Sequence, residues 1–273
     1  MSGTNTVLIT GSTSGLGKGL AAALGRRGWR VLAHGRDQRR LDALTADLRD
    51  HGIEVQPYRA DLSDLGEVVE LAGRVAADHE RLQLLVNNAG VGSGPPHGRR
   101  EVSRDGYELR LAVNYLAPVV LTRHLVPALR AGAPSQVLNI GSVGMVPVDL
   151  DDPQMESRYD GMQAYMRSKY ALLAFTVDAA RELSGAGIRV NCVHPATYMD
   201  TGMVRESQVT PWTSVETGVS AVLAVLGNDG ADGEFFDGSR PARGQRAARD
   251  EAGRRRLATL TESLVSRRAG TAK

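Results

Sequence analysis

The chain of 273 residues has a single cysteine, Cys192, which excludes an internal disulfide and leaves no CxxC pair to hold a metal. A reducing compartment fits that usage. Charge of one sign is lacking too: 33 Lys and Arg against 31 Asp and Glu leave a formal net charge of +2. Nothing in that balance demands nucleic acid or an anionic membrane as partner. No uninterrupted apolar run approaches the roughly 18 residues needed to cross a bilayer. The opening "MSGTNTVLIT" has no basic segment followed by an apolar one, as a secretory signal requires. Internal repeats and long linkers are also missing. The expectation is a soluble, cytoplasmic protein with no membrane partner and one large domain, a size able to bury a substantial core.

What is present is an alternation. Short aliphatic or β-branched runs, "TVLIT", "RVLAH", "EVQPYRA", "LQLLVNN", "SQVLNI", "IRVNCVH" and a late "GEFFDG", are separated by amphipathic stretches. Helices are predicted over 15–27, 38–51, 64–79, 104–130 and 161–184. Strands that read as continuous apolar runs imply a sheet covered on both faces, so the predicted class is α/β, a doubly wound parallel sheet. Residues 92–100, 144–161 and 199–217 break the rhythm and read as loops or lids. The tail 240–273 holds ten basic and three acidic residues, with a helix predicted over 249–266. It reads as a solvated end helix rather than a nucleic-acid arm. On this reading the main domain covers 1–240 and a basic helical tail covers 241–273.

Gly11, Gly15 and Gly17 in "TVLITGSTSGLGKGLA" fall directly after the first strand and at the start of the first helix. Glycines there let the backbone turn tightly and approach a pyrophosphate, while the helix N-terminus offers N–H donors and a favourable dipole. The spacing is TGxxxGxG, and alone it could mark only a tight turn. The end of the second strand, "RVLAHGRD", is where an acid would hold a ribose 2′-OH. His34 and Gly35 are not acids, and Arg36 follows, suited to a 2′-phosphate by charge-assisted hydrogen bonds. NADP(H) is therefore favoured over NAD(H). Asp37 would reverse the preference if the strand ended one residue later.

"TGSTSGLG" at 10–17, "ADL" at 60–62, "NNAG" at 87–90, Asn114, Ser142 and "YMRSK" at 165–169 occur in one order across one sheet. Together they resemble the short-chain dehydrogenase/reductase family over residues 5–238. The long interval from Ser142 to Tyr165, containing "DLDDPQMESRYDG", is most similar to the retinol dehydrogenase-like branch, although no N-terminal membrane anchor is evident here. The resemblance implies one Rossmann domain, usually of seven parallel strands, assembled as a homodimer or homotetramer around a small-molecule substrate. It implies that Gly11, Ser12, Ser14, Gly15, Leu16 and Gly17 bind pyrophosphate and ribose, and that Asp61 and Leu62 flank the adenine. Asn88, Ala89 and Gly90 would line the cofactor cleft, with Pro195 beside the nicotinamide. Asp61 could instead cap the helix beginning near Asp64, and Asn88 could simply end a strand.

Reducing a carbonyl leaves an alkoxide that must be protonated, so an acid is needed near that oxygen. Tyr165 and Lys169 are four positions apart, on one helix face, where an ammonium can favour phenolate and reach the nicotinamide ribose. Ser142, at the end of "SQVLNI", can hydrogen-bond the substrate oxygen. Asn114 resembles the family residue that holds a water linking Lys169 to solvent. The catalytic set is thus Asn114, Ser142, Tyr165 and Lys169, with the last two also contacting cofactor. There are departures from the family pattern. Ala196 stands after Pro195 where glycine is common, and Thr201 lies one position beyond the usual cofactor-contacting threonine. His194 reads as a strand-end histidine. Met145, Val146, Met162, Tyr198, Met203 and Trp212 offer apolar surface for a mid-sized hydrophobic substrate. Two other functions keep the same scaffold: a redox-neutral epimerase, dehydratase or cyclase, and a non-enzymatic NADP(H) sensor.

Overall fold

Each of the apolar runs becomes a strand of one sheet. The computed structural model describes residues 4–269. Strands β1 (Thr6–Ile9), β2 (Arg30–Gly35), β3 (Val55–Arg59), β4 (Leu84–Asn87), β5 (Ser135–Ile140), β6 (Ile188–His194) and β7 (Phe235–Asp237) are mutually parallel. The spatial order is β3-β2-β1-β4-β5-β6-β7-β8, with β8 (Arg240–Ala242) antiparallel to β7. Pro57 lies in β3, where its missing N–H is harmless because β3 is an edge. The order reverses between β1 and β4, and in doubly wound sheets a ligand binds at such a reversal, beyond the carboxyl ends of the strands.

Helices α1 (Gly15–Gly25), α2 (Gln38–Asp50) and α8 (Val215–Leu226) cover one face. Their core contains Leu20, Leu41, Leu44 and Val222 against Val7, Ile9, Val31 and Val86. Helices α3 (Leu65–Asp78), α5 (Ala117–Ala131) and α6 (Gly161–Leu183) cover the other, packing Leu71, Leu125 and Leu173 against Leu8, Leu32, Leu85 and Val137. Alternate strand residues thus serve two separate cores, which is why the strands read as unbroken apolar runs. Asp37, Asp64, Asp160 and Ser214 cap helices by accepting backbone N–H bonds. Among the described residues no helix is long and apolar enough to cross a membrane.

Several elements depart from the expectations: α8 and β8 have no predicted counterpart, the stretch 199–217 read as a loop contains a short helix over Gly202–Glu206, and two predicted helices are changed. The helix predicted over 104–130 begins later, because Gly106 at φ +82 turns the chain. It starts as α4 (Leu109–Leu111), widens into a π-turn over Ala112–Leu116 and continues as α5. The tail helix, α9 (Glu251–Ala269), packs against α6 rather than standing in solvent. Leu257 and Leu264 join the core, Tyr107 donates to Leu264 O at 2.5 Å, and the Tyr115 and Thr261 hydroxyls meet at 2.7 Å. Arg254, 2% exposed, pairs with Asp178 at 2.6 Å.

Candidate active site

The glycine turn is held by residues that surround it. At Gly11, φ +65 favours glycine, and an added Cβ would lie 2.8 Å from Ala89 Cα. At Gly17 a Cβ would lie 2.3 Å from Gly11 O and 2.5 Å from Asn88 Nδ2. Asn88 donates that amide to Thr10 O at 2.8 Å and Gly11 O at 3.1 Å. Thr10 Oγ1 in turn accepts the backbone N–H groups of Asn88 and Ala89. The NNAG segment after β4 therefore supports the turn from beneath. Neither obstacle at Gly17 is a flexible side-chain end free to move, so Gly17→Ala is expected to cost about 1–3 kcal/mol of stability by overpacking. Urea unfolding measures it, and an unchanged midpoint would contradict the tight contact.

Ser14 is the N-cap residue of α1, is exposed, and makes no side-chain capping bond; the first turn holds no acidic residue. That end of α1 suits an anion. Ser12 is turned elsewhere: fully buried, it donates its hydroxyl to His34 O at 3.0 Å. Leu16 and Leu62 place their side chains in the two cores. Asp37 accepts from Arg40 N at 3.0 Å as the cap of α2, so the acid near the end of β2 is engaged by the helix. Arg36 is exposed and near Asp61, whose carboxyl lies below the usual range. Burial acts to raise that carboxyl, but the Ser63 hydrogen bonds and the Arg36 and Arg104 charges outweigh it. Asp61 accepts from Ser63 N, while Asp64 caps α3.

At the carboxyl ends of the strands, Ser142 follows β5, accepts the Gly144 N–H at 3.2 Å and has its hydroxyl close to the Tyr165 phenol of α6. Burial pushes the Tyr165 phenol up, and the Ser142 hydroxyl opposes this. Lys169 Nζ sits 5.8 Å from the Tyr165 ring centroid and donates to Ile140 O at 2.7 Å. Burial pulls Lys169 down to about 8. Desolvation is the largest influence on the phenol and acts against the lowering expected from the ammonium.

Asn114 occupies the π-turn. Its amide exchanges two hydrogen bonds with the Val91 backbone, at 2.7 and 2.9 Å, and donates to Ser168 Oγ at 3.0 Å. Ser168 donates to Tyr165 O at 2.7 Å, so the serine within "YMRSK" links Asn114 to the helix bearing Tyr165. That link and the π-turn have no signal in residue type alone, though wide turns commonly mark functional positions. Pro195 is buried after β6, and the left-handed residue of the following loop is Tyr198, not Ala196. His194 ends β6 with Nε2 at 3.0 Å from Thr197 Oγ1. Thr201 comes over Gly15: its Cγ2 lies 3.0 Å from a Cβ added there. Short helix α7 (Gly202–Glu206) brings Met203 against Gly90 and Gly92.

Of the apolar residues expected around a substrate, Met162, Tyr198 and Trp212 are exposed, and the Tyr198 and Trp212 rings meet edge-on at 4.9 Å. Met145 is instead core, and exposed Val143, next to Ser142, is an addition. A cavity of about 890 Å³ borders the opposite, N-terminal ends of β1, β4 and β5, near Trp29, His79 and Pro134. Its lining includes none of the candidate cofactor or catalytic residues.

A doubly wound sheet with a glycine turn at the strand reversal, and Ser142, Tyr165 and Lys169 on the neighbouring elements, define a dinucleotide-binding type of scaffold. The short chain dehydrogenase family model matches residues 5–211, and the chain belongs to that family. Within it the chain falls in the retinol dehydrogenase-like branch. Human "Retinol dehydrogenase 13" is 31% identical over 95% of this chain and 84% of its own length. The solved structure of a "putative uncharacterized protein from Mycobacterium Paratuberculosis" superposes with TM-score 0.80 at 28% identity, covering 96% of this chain and 93% of that one. The "Pseudomonas aeruginosa RhlG/NADP active-site complex" gives TM-score 0.71 at 26% identity, covering 85% and 94%.

Proposed function

We propose that the protein is an NADP(H)-dependent oxidoreductase that interconverts a carbonyl and an alcohol on a mid-sized, largely hydrophobic substrate. The observation that carries this reading is the meeting of Ser142, Tyr165 and Lys169 beside the glycine turn. The residues fit a 2′-phosphorylated dinucleotide: Gly11 and Gly17 leave no room for side chains, Ser14 is uncapped, Arg36 is exposed, and Asp37 is taken by α2. The NADP named in the RhlG complex supports the same cofactor. When bound, NADPH supplies a hydride.

The chain's own residues do the rest. Ser142 hydrogen-bonds the substrate oxygen and polarises the carbonyl, and Tyr165 donates its phenolic proton to the developing alkoxide. Lys169 replenishes that proton through Asn114 and solvent while holding the ribose. Val143, Met162, Tyr198 and Trp212 give the apolar surface against which the substrate lies. Retinol dehydrogenase relatives support a lipophilic alcohol or aldehyde as substrate. A cytoplasmic location and a homo-oligomeric assembly belong to the same proposal, the latter checked by light scattering.

Incubating the protein with NADPH and a panel of hydrophobic ketones and aldehydes is expected to consume absorbance of the reduced nicotinamide in proportion to alcohol formed. Product formation without net loss of NADPH would favour the redox-neutral alternative. Arg36→Asp is expected to weaken NADPH far more than NADH, because it removes a phosphate partner and adds repulsion. Equal losses for both cofactors, in fluorescence titrations, would overturn the 2′-phosphate assignment.

A further inference from the structure

We propose that His34 is a positioning residue that locks the glycine turn to the second and third strands and thereby sets affinity for the adenosine half of the nucleotide. The inference rests on the reading that this turn binds a nucleotide. His34 lies near the end of β2 and is 2% exposed. Its Nδ1 accepts the Gly11 N–H at 3.1 Å, and its Nε2 lies 3.1 Å from Ala60 O. Only the neutral ring with its proton on Nε2 satisfies both contacts, since a carbonyl cannot donate and an amide N–H cannot accept. The backbone carbonyl of the same residue accepts both the N–H and the hydroxyl of Ser12, at 2.9 and 3.0 Å.

One residue therefore grips Gly11 and Ser12 on one side and the strand end before Asp61 on the other. Gly11 cannot drift the opposite way, because Ala89 lies against it. Arg36 follows two residues on, so the imidazole spans the places assigned to pyrophosphate, 2′-phosphate and adenine. The charged groups facing the ring are Arg74 of α3, which disfavours imidazolium, and Asp61, which favours it. Burial outweighs both and brings the ring down to about 4, so it is neutral at physiological pH. A protonated ring would aim a second N–H at the Gly11 N–H and open the clamp.

His34→Leu keeps volume but leaves the Gly11 N–H and Ala60 O unpartnered, whereas His34→Asn restores an acceptor close to the Nδ1 position. In NADPH titrations of the full chain, His34→Leu is expected to raise Kd by about tenfold or more, equivalent to about 1.4 kcal/mol. His34→Asn should recover most of that loss. Single-turnover reduction at saturating NADPH should match the parent in both, since Tyr165 lies on α6 rather than in the turn. Nitrogen-15 NMR of the parent should show a neutral Nε2–H tautomer from pH about 5 to about 8.

Parent-like affinity in His34→Leu, a ring titrating near its ordinary value, or an Asn variant as weak as Leu would each overturn the proposal. If His34→Leu does not fold, the Asn titration and the tautomer decide. If the parent bound no nucleotide, the affinity claim would fall with the functional reading. The clamp itself would then be judged by whether His34→Asn keeps the Gly11 amide protected from hydrogen exchange.

Discussion

Tyr165→Phe is expected to leave NADPH affinity within a small factor of the parent while turnover falls by about 10²–10⁴-fold. The ring and its packing survive the change, and only the hydroxyl close to Ser142 is lost. Because burial holds the phenol up, it is protonated at neutral pH and ready to act as the acid of carbonyl reduction. Alcohol oxidation needs the phenolate, so its rate is expected to rise with alkaline pH. Lys169→Met should damage binding and chemistry together, since the proposed function assigns the ammonium to both. Separate measurement of NADPH affinity and single-turnover reduction distinguishes the two variants, which a combined kcat/KM would blur. Reduction by Tyr165→Phe at the parent rate would mean that the proton comes from another group.

The parts of this site that were legible in the sequence are those set by residue type at short range. Gly11, Gly15 and Gly17 announce a turn that side chains cannot enter, and Tyr165 and Lys169 share a helix face by spacing alone. The strands were legible because both faces of the sheet are covered. What escaped depends on long-range packing. Ser12 belongs to a glycine-rich motif yet spends its hydroxyl on His34, and Asn88 supports the turn from beneath. Lys169 was expected to dominate the Tyr165 phenol, but desolvation cannot be read from a spacing of four. The strand β8 had a usable signal, since Gly238 and Ser239 form a two-residue connection between "FFD" and "RPA". The packing of α9 had none as clear: its apolar residues are few, and half of its attachment is polar, through Arg254–Asp178 and Tyr115–Thr261.

Arg110→Met is expected to destabilise the fold by about 3–5 kcal/mol, the usual consequence of removing one member of a buried ion pair. Arg110 and Glu108 are both 2% exposed and meet at 3.4 Å. Arg110 also donates to Gly92 O at 2.9 Å and pairs with Glu101 at 2.9 Å. Glu108 accepts from Leu111 N and from the Tyr159 hydroxyl, while its own N–H is donated to Gln154. The pair therefore ties residues 92–94 to residues 154–159, two of the irregular segments that the sequence marks as loops or lids.

Burial already raises the Glu108 carboxyl, and the Leu111 N–H and Arg110 charge restrain that rise. Without Arg110 the folded-state value climbs further above the unfolded one. The folded protein then holds a proton that the unfolded chain releases, so stability falls as pH rises from the unfolded carboxylate value through the raised one. Urea unfolding of Arg110→Met should accordingly show a larger deficit at alkaline than at mildly acidic pH. Adding Glu108→Leu should recover part of the loss by removing the stranded carboxylate, which a simple volume effect would not do. For carbonyl reduction the double variant is expected to raise KM more than it lowers kcat, because the substrate loops lose their tie while Ser142, Tyr165 and Lys169 keep theirs.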